Sequence, residues 1–180
     1  MTARHGPDPE SSIAGDPESA PESVARAIVL RQLTMAPRSR LQLSRKLAER
    51  NVPEDVAEAV LDRFEEVQLI DDAEFARMWV RSRSQGKKLA KGALRRELSD
   101  KGIDVEDAEE ALAQLSDQDE EAAARELVLR KLRPGVDLSD RAERDKYTRR
   151  LASMLARKGY APSMAFRIVS EVLAETGTLE

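Results

Sequence analysis

There is no cysteine in these 180 residues, and only one histidine, His5. The first absence excludes disulfides, thiolate zinc sites and cysteine nucleophiles. The second leaves no histidine for a folded active site, because His5 lies in a stretch with hardly any apolar residues. Aromatic residues are scarce at 3%, which leaves little with which to build a stacking platform for bases. No apolar run approaches the roughly 18 residues needed to span a bilayer, and the N-terminus lacks the basic start and apolar centre of a signal peptide. The expected address is therefore the cytoplasm, with no membrane partner. Glycine-rich phosphate loops, His-Glu metal pairs and nucleophile motifs are missing too. Gly86-Lys87-Lys88 has neither the upstream glycine nor the downstream Ser/Thr of a P-loop. The expectation is a protein that is not an enzyme, with no cofactor and no metal.

What is abundant is charge. Asp, Glu, Lys and Arg make up 36% of the chain, and with few β-branched runs this suits exposed helices whose buried stripe is Ala, Leu and Val. The length fits one sizeable domain or several small modules sharing a core. The net charge of -4 is strongly segregated. Residues 1–23 hold five acids and one Arg, and residues 104–121 hold nine acids and no Lys or Arg. Residues 77–101, by contrast, hold nine cations and two acids, and residues 125–167 hold twelve and five. Such alternation produces local fields that the whole-chain charge conceals.

Residues 1–23, with Gly6-Pro7-Asp8-Pro9 and Gly15-Asp16-Pro17, read as a disordered acidic tail. From Val24 onward the chain repeats. Ala25-Arg26-Ala27-Ile28-Val29, Ala76-Arg77-Met78-Trp79-Val80 and Ala124-Arg125-Glu126-Leu127-Val128 share an Ala-Arg-x-apolar-Val core. A second helix follows each, with leucines four apart at Leu43 and Leu47, Leu94 and Leu98, Leu151 and Leu155. Asn51-Val52, Gly102-Ile103 and Gly159-Tyr160 then close it, since Gly or Asn accepts the left-handed conformation that ends a helix. Third helices begin at Pro53-Glu54-Asp55, Asp104-Val105-Glu106-Asp107 and Pro162-Ser163. Their apolar stripes are Val56, Val60, Phe64 and Val67, then Ala108, Ala111, Leu112 and Leu115, then Ala165, Ile168, Val169 and Val172.

The spacing between the first two units is 51 residues. In the third, the opening helix comes 48 residues after its counterpart and the second helix 57 after, so about nine residues are inserted near 134–139, read as a loop. The resulting expectation is an all-α chain of three tandem three-helix repeats forming an elongated curved solenoid. It comprises the tail 1–23 and modules 24–70, 71–117 and 118–180. Helices two and three of each module could be a helix-turn-helix or an ordinary αα-hairpin.

Asp71-Asp72 could be a catalytic or metal-binding carboxylate pair, but Asp71 followed by Glu74 matches helix capping better. Trp79 falls where Ile28 and Leu127 fall, a core position, and Phe64, Phe75 and Phe166 occupy apolar stripes. The most exceptional polar feature runs through Arg81, Arg83, Lys87, Lys88, Lys91, Arg95 and Arg96, by way of a turn expected at Gln85-Gly86. At Arg83-Ser84 it replaces the apolar residue kept at Leu33 and Leu132, and a broken local rule of this kind is often functional.

The run Leu69-Ile-Asp-Asp-Ala-Glu-Phe-Ala-Arg-Met-Trp-Val80, followed by Lys91-Gly-Ala-Leu-Arg-Arg-Glu-Leu98 and Lys101-Gly102-Ile103, resembles the RecX family of bacterial modulators of the RecA recombinase. The resemblance covers about residues 24–175. It implies a curved three-repeat protein that binds in the groove of the RecA filament on single-stranded DNA. Such a protein bridges protomers, blocks filament growth, and suppresses ATP hydrolysis, strand exchange and repressor cleavage in recombination, DNA repair and the SOS response. It lends no catalytic residue. The partner-binding residues expected on this basis are Arg77, Arg81, Arg83, Lys87, Lys88, Lys91, Arg95, Arg96, Arg130, Lys131, Arg149 and Arg150.

The acidic tail and the acidic 104–121 segment argue against tight independent binding to DNA. Two other classes stay open: a sequence-nonspecific DNA-binding protein, and a helical-repeat protein scaffold. With no sustained heptad seam, a monomer is expected.

Overall fold

The computed structural model describes residues 19–132, 138 and 140–177, and among them has nine helices and no strand. The first module contains α1 (Ser19–Met35), α2 (Arg40–Ala48) and α3 (Glu54–Glu66). The second contains α4 (Asp72–Lys87), α5 (Lys91–Asp100) and α6 (Val105–Leu112). The third contains α7 (Asp117–Lys131), α8 (Arg141–Arg157) and α9 (Pro162–Gly177). Most of the stretch read as an acidic tail lies outside the described residues, but α1 already begins at Ser19.

Helix starts follow local chemistry. Ser39 and Ser116 form reciprocal capping boxes with Gln42 and Asp119. The Asp71 and Asp104 carboxylates accept from the Glu74 and Asp107 N–H groups at 2.7 and 2.8 Å. Each such cap satisfies a donor the helix cannot satisfy itself. The capping reading of Asp71 is thereby met. Asp72 has a different job, described below.

Helix ends are closed by the same device three times. Asn51, Gly102 and Gly159 have φ of 56°, 77° and 90°. The N–H of the following residue reaches back to Leu47 (3.2 Å), Leu98 (3.1 Å) and Leu155 (3.2 Å), while the residue itself bonds Ala48, Ser99 and Ala156. This paired pattern is the Schellman motif, and Val52, Ile103 and Tyr160 fold their side chains back onto their modules.

Each module has its own core. Val29, Leu43, Leu47, Leu61 and Phe64 fill the first; Phe75, Val80, Leu94, Leu98 and Leu112 the second; Leu127, Leu151, Leu155, Val169 and Leu173 the third. Extensive helix packing occurs within modules rather than between them. The architecture is therefore a helical repeat.

Three sequence expectations change. Val67 is 47% exposed, because α3 stops at Glu66, and Phe166 is 50% exposed, although Ala165, Ile168, Val169, Val172 and Leu173 of the same helix are buried. Gln85-Gly86 is not a turn: α4 continues to Lys87, and the break falls at Lys88, in the left-handed region at φ 53°. The loop expected near 134–139 falls between α7 and α8, and the third module is further lengthened within α8, which has 17 residues where α2 has 9 and α5 has 10. Residues 133–137 and 139 lie outside the described residues, and Leu138 between them is buried in the third core.

Candidate partner interface and its inter-module junctions

Modules meet through two junctions built alike. At the first, the N-terminus of α2 meets the turn after α5. The Ser39 hydroxyl, the one fully buried polar side chain among the described residues, donates to the Lys101 carbonyl at 2.7 Å. The Arg40 N–H donates to the Asp72 carboxylate at 2.8 Å, and Leu41 lies on Gly102. At the second, the N-terminus of α5 meets the turn after α8. The Ala90 N–H donates to the Lys158 carbonyl at 2.9 Å, the Lys91 N–H to Glu120 at 2.7 Å, and Gly92 lies on Gly159. Orphan N–H groups of one helix are thus satisfied by an acid from the next module. Tyr160 and Lys158 add bonds to the Lys88 and Lys87 carbonyls, at 3.0 and 2.6 Å.

The cations expected to bind a partner fall into three groups. Five are engaged within the molecule. Arg77 pairs with Glu74 (2.9 Å) and Glu110 (3.3 Å), Lys88 with Glu126 (3.0 Å), and Lys91 with Asp117 (3.0 Å). Arg95 forks onto both oxygens of Glu109, at 2.5 and 3.0 Å, and holds that carboxyl below its ordinary range. Arg83 lies 4.2 Å from the centroid of Trp79 and 3.6 Å from Glu97. Arg149 bonds only the Asp145 carbonyl. Among the described residues, Arg81, Lys87, Arg96, Arg130, Lys131 and Arg150 have no ion-pair partner; all six are exposed.

This sorting explains the charge segregation. The acidic 104–121 segment supplies Glu109, Glu110, Asp117 and Glu120, which fold back on the basic stripe of the same module or the one before it. Part of the field suggested by the sequence is therefore neutralised internally. Exposed pairs of this kind contribute little to stability and exchange readily for other partners.

Trp79 is only partly a core residue. It stacks on Phe75 at 5.7 Å between centroids, its Nε1–H donates to Glu97 at 2.8 Å, and the Lys101 ammonium lies 3.9 Å from its ring. Indole faces attract cations through their quadrupole. Sequence reading missed Lys101 and Lys158 as candidates, although both stand just before a turn glycine in aligned units. It also missed Arg40, which gathers Glu58, Asp62 and Glu65 at 2.5, 2.7 and 2.5 Å.

A cleft of about 520 Å³ lies beside the second junction, between Arg81 and Lys88 on one wall and Asp119, Glu120 and Glu126 on the other. Its mixed charge suits neither a polyanion nor a metal, and no group of acids or histidines that could hold a metal occurs among the described residues. Nor is any described helix long and apolar enough to cross a membrane.

Two family models match the chain: RecX, first three-helix domain, over residues 25–64, and RecX, second three-helix domain, over residues 71–112. A regulatory protein RecX from Streptomyces coelicolor is 51% identical over 163 residues, covering 91% of this chain and 85% of the relative. The chain belongs to the RecX family. A second RecX protein, from Thermobifida fusca, is 48% identical over 166 residues, covering 88% of this chain and 85% of its own. The crystal structure of RecX from Lactobacillus salivarius superposes with a TM-score of 0.72 at 22% identity, covering 86% of this chain and 97% of that one. Another RecX crystal structure gives 0.74 at 23% identity, over 86% of this chain and 75% of that one. These two establish the shared helical-repeat fold.

Proposed function

We propose that this RecX chain is a negative regulator of RecA that lies in the groove of the RecA filament on single-stranded DNA and inhibits filament growth, ATP hydrolysis, strand exchange and repressor cleavage. Membership of a family of regulatory proteins supports the regulatory part of the reading. The observation that carries the binding part is the set of six exposed, unpaired cations distributed over modules two and three. Contacts with acidic protomer surfaces would need no rearrangement at Arg81, Lys87, Arg96, Arg130, Lys131 and Arg150. Arg77, Lys88, Lys91 and Arg95 would first exchange an internal partner. The repeated modules would span neighbouring protomers, and the chain would act as a monomer in the cytoplasm.

A protein that acts by occupying naked DNA is the weaker reading, because several of its cations are already neutralised by internal acids. The deciding experiment is the single-stranded-DNA-dependent ATPase rate of the cognate RecA with this protein titrated in. Inhibition well below one copy per RecA monomer is expected. Undiminished hydrolysis at excess protein would sink the proposal.

A further inference from the structure

The cleft beside the second junction opens at a position that the preceding module fills. The Ala-Arg-x-apolar-Val cores of modules two and three align Ala124 with Ala76, which sets Ala123 against Phe75 and Glu120 against Asp72. The junctions keep that register: Asp72 accepts the N–H of Arg40, which opens α2, and Glu120 the N–H of Lys91, which opens α5. Phe75 is buried and stacked on Trp79. Module three has only the methyl group of Ala123 at this place, and that methyl group lines the cleft.

Two cores reach the surface here. Leu89 and Leu115 pack on the second core and Ala123 on the third, with the buried Val80 and Tyr160 also lining the cleft. An apolar side chain entering from outside would extend both cores at once. The polar rim is one-sided in what it leaves unused. Its three acids are all engaged: Asp119 with Ser116, Glu120 with the Lys91 N–H, and Glu126 with Lys88. Arg81 has no ion-pair partner among the described residues, and the Gln85 and Gln114 carboxamides make no hydrogen bond there. The rim therefore offers a guanidinium to a carboxylate and two amides to a peptide backbone.

We infer that the cleft is a socket for a protruding side chain of phenylalanine size on a protein partner, with a carboxylate beside it that meets Arg81. One aromatic anchor seated in a pocket carries much of the energy of a protein interface. A polyanion would bring the charge without the apolar group and would face the three acids of the rim. A second copy of this chain would have to present Phe166, its one exposed phenylalanine, which is followed by Arg167, a cation that Arg81 repels. The inference rests on the filament reading only for the protein that presents the anchor.

Ala123→Phe fills the socket from within, using the residue that module two has at the aligned position. Its helical circular dichroism and thermal unfolding should match or exceed the parent's. Its inhibition of the cognate RecA ATPase should weaken about tenfold to a hundredfold, the value of one buried phenyl group. The socket is also probed without RecA. N-acetylphenylalanine, which joins a phenyl group to a carboxylate, is titrated into the full chain while the methyl resonances of Leu89 and Leu115 are followed by NMR. Saturable shifts are expected in the parent and none in Ala123→Phe, and N-acetylalanine should shift neither.

A folded Ala123→Phe that inhibits like the parent would overturn the socket. So would methyl shifts that are absent from the parent or survive the substitution, and the parent titration decides alone if the variant does not fold. Self-association of the parent that Ala123→Phe abolishes, read by sedimentation, would give the cleft to a second copy and overturn the proposal as well. The two readings fail separately. A parent that binds the probe but leaves RecA hydrolysis undiminished keeps the socket and removes the regulator; one that inhibits but binds no probe keeps the regulator and removes the socket.

Discussion

Gly92 and Gly159 meet backbone to backbone at the second junction: a Cβ on Gly92 would lie 2.5 Å from the Gly159 carbonyl oxygen. Their counterparts at the first junction are Leu41 and Gly102, where a side chain rests on the turn. The second junction is thus the closer of the two, and its closeness depends on one missing methyl group.

Gly92→Ala should therefore force modules two and three apart and destabilise the chain by about 1–3 kcal/mol, the usual cost of overpacking. Gly86 provides the contrast. It lies inside α4 with nothing within 4 Å of an added Cβ, so Gly86→Ala should stabilise by about 0.5–1 kcal/mol through helix propensity. Thermal unfolding of the two variants beside the parent checks both signs. Equal effects would mean that Gly92 is not a contact residue.

The two glycines illustrate what a one-dimensional reading reaches. Helix-closing turns were legible because the Schellman pattern is local: Gly102 and Gly159 sit a fixed distance after Leu98 and Leu155. The module cores were legible for the same reason, since Leu43 and Leu47 or Leu94 and Leu98 mark a helix face. Val67 was misplaced because the stripe outlived its helix. The fate of Arg95 was not legible at all, since pairing with Glu109 depends on how α5 crosses α6. Arg83 and Lys101 meet over Trp79 only because α4 packs against the end of α5.

Asp72 tests the capping across modules. Burial raises its carboxyl above the usual aspartate range, against the opposing hydrogen bond from the Arg40 N–H. Asp72→Ala should leave that N–H unsatisfied and cost about 1–2 kcal/mol. Asp72→Asn keeps an acceptor oxygen and removes the buried charge, so its stability should equal or exceed that of the parent at neutral pH. Urea unfolding at pH 7 distinguishes the pair; an asparagine variant as weak as the alanine one would mean that the charge, rather than the acceptor, holds the junction.

The cation sorting yields a functional contrast. Arg96→Glu and Arg81→Glu reverse charges with no internal partner, and each should weaken RecA ATPase inhibition about tenfold, as reversal at a contacted charge does. Arg95→Glu repels Glu109 within the molecule and so perturbs local stability as well as inhibition. Dose-response curves paired with unfolding midpoints resolve this: a fall in inhibition at Arg96 and Arg81 with unchanged midpoints is the expected signature, and full activity of both would mean that the exposed cations are only a solvated face.

Tyr160 offers a pH-dependent probe of the second junction. Its hydroxyl donates to the Lys88 carbonyl, and burial, followed by the charges of Glu120 and Glu126, pushes its pKa from 10.0 to about 12. The folded state thus favours the protonated phenol. Its contribution is complete below the unfolded pKa near 10 and disappears as pH rises through the folded value near 12, because the phenolate is disfavoured by its buried surroundings and can no longer donate. Stability should fall across that window in the parent. In Tyr160→Phe the bond is gone at every pH, so the chain should be weaker by about 1 kcal/mol at neutral pH and lose this component of the alkaline slope. Urea unfolding between pH 8 and pH 12, with tyrosinate absorbance followed in parallel, checks the assignment; an identical alkaline slope in the variant would place the titrating group elsewhere.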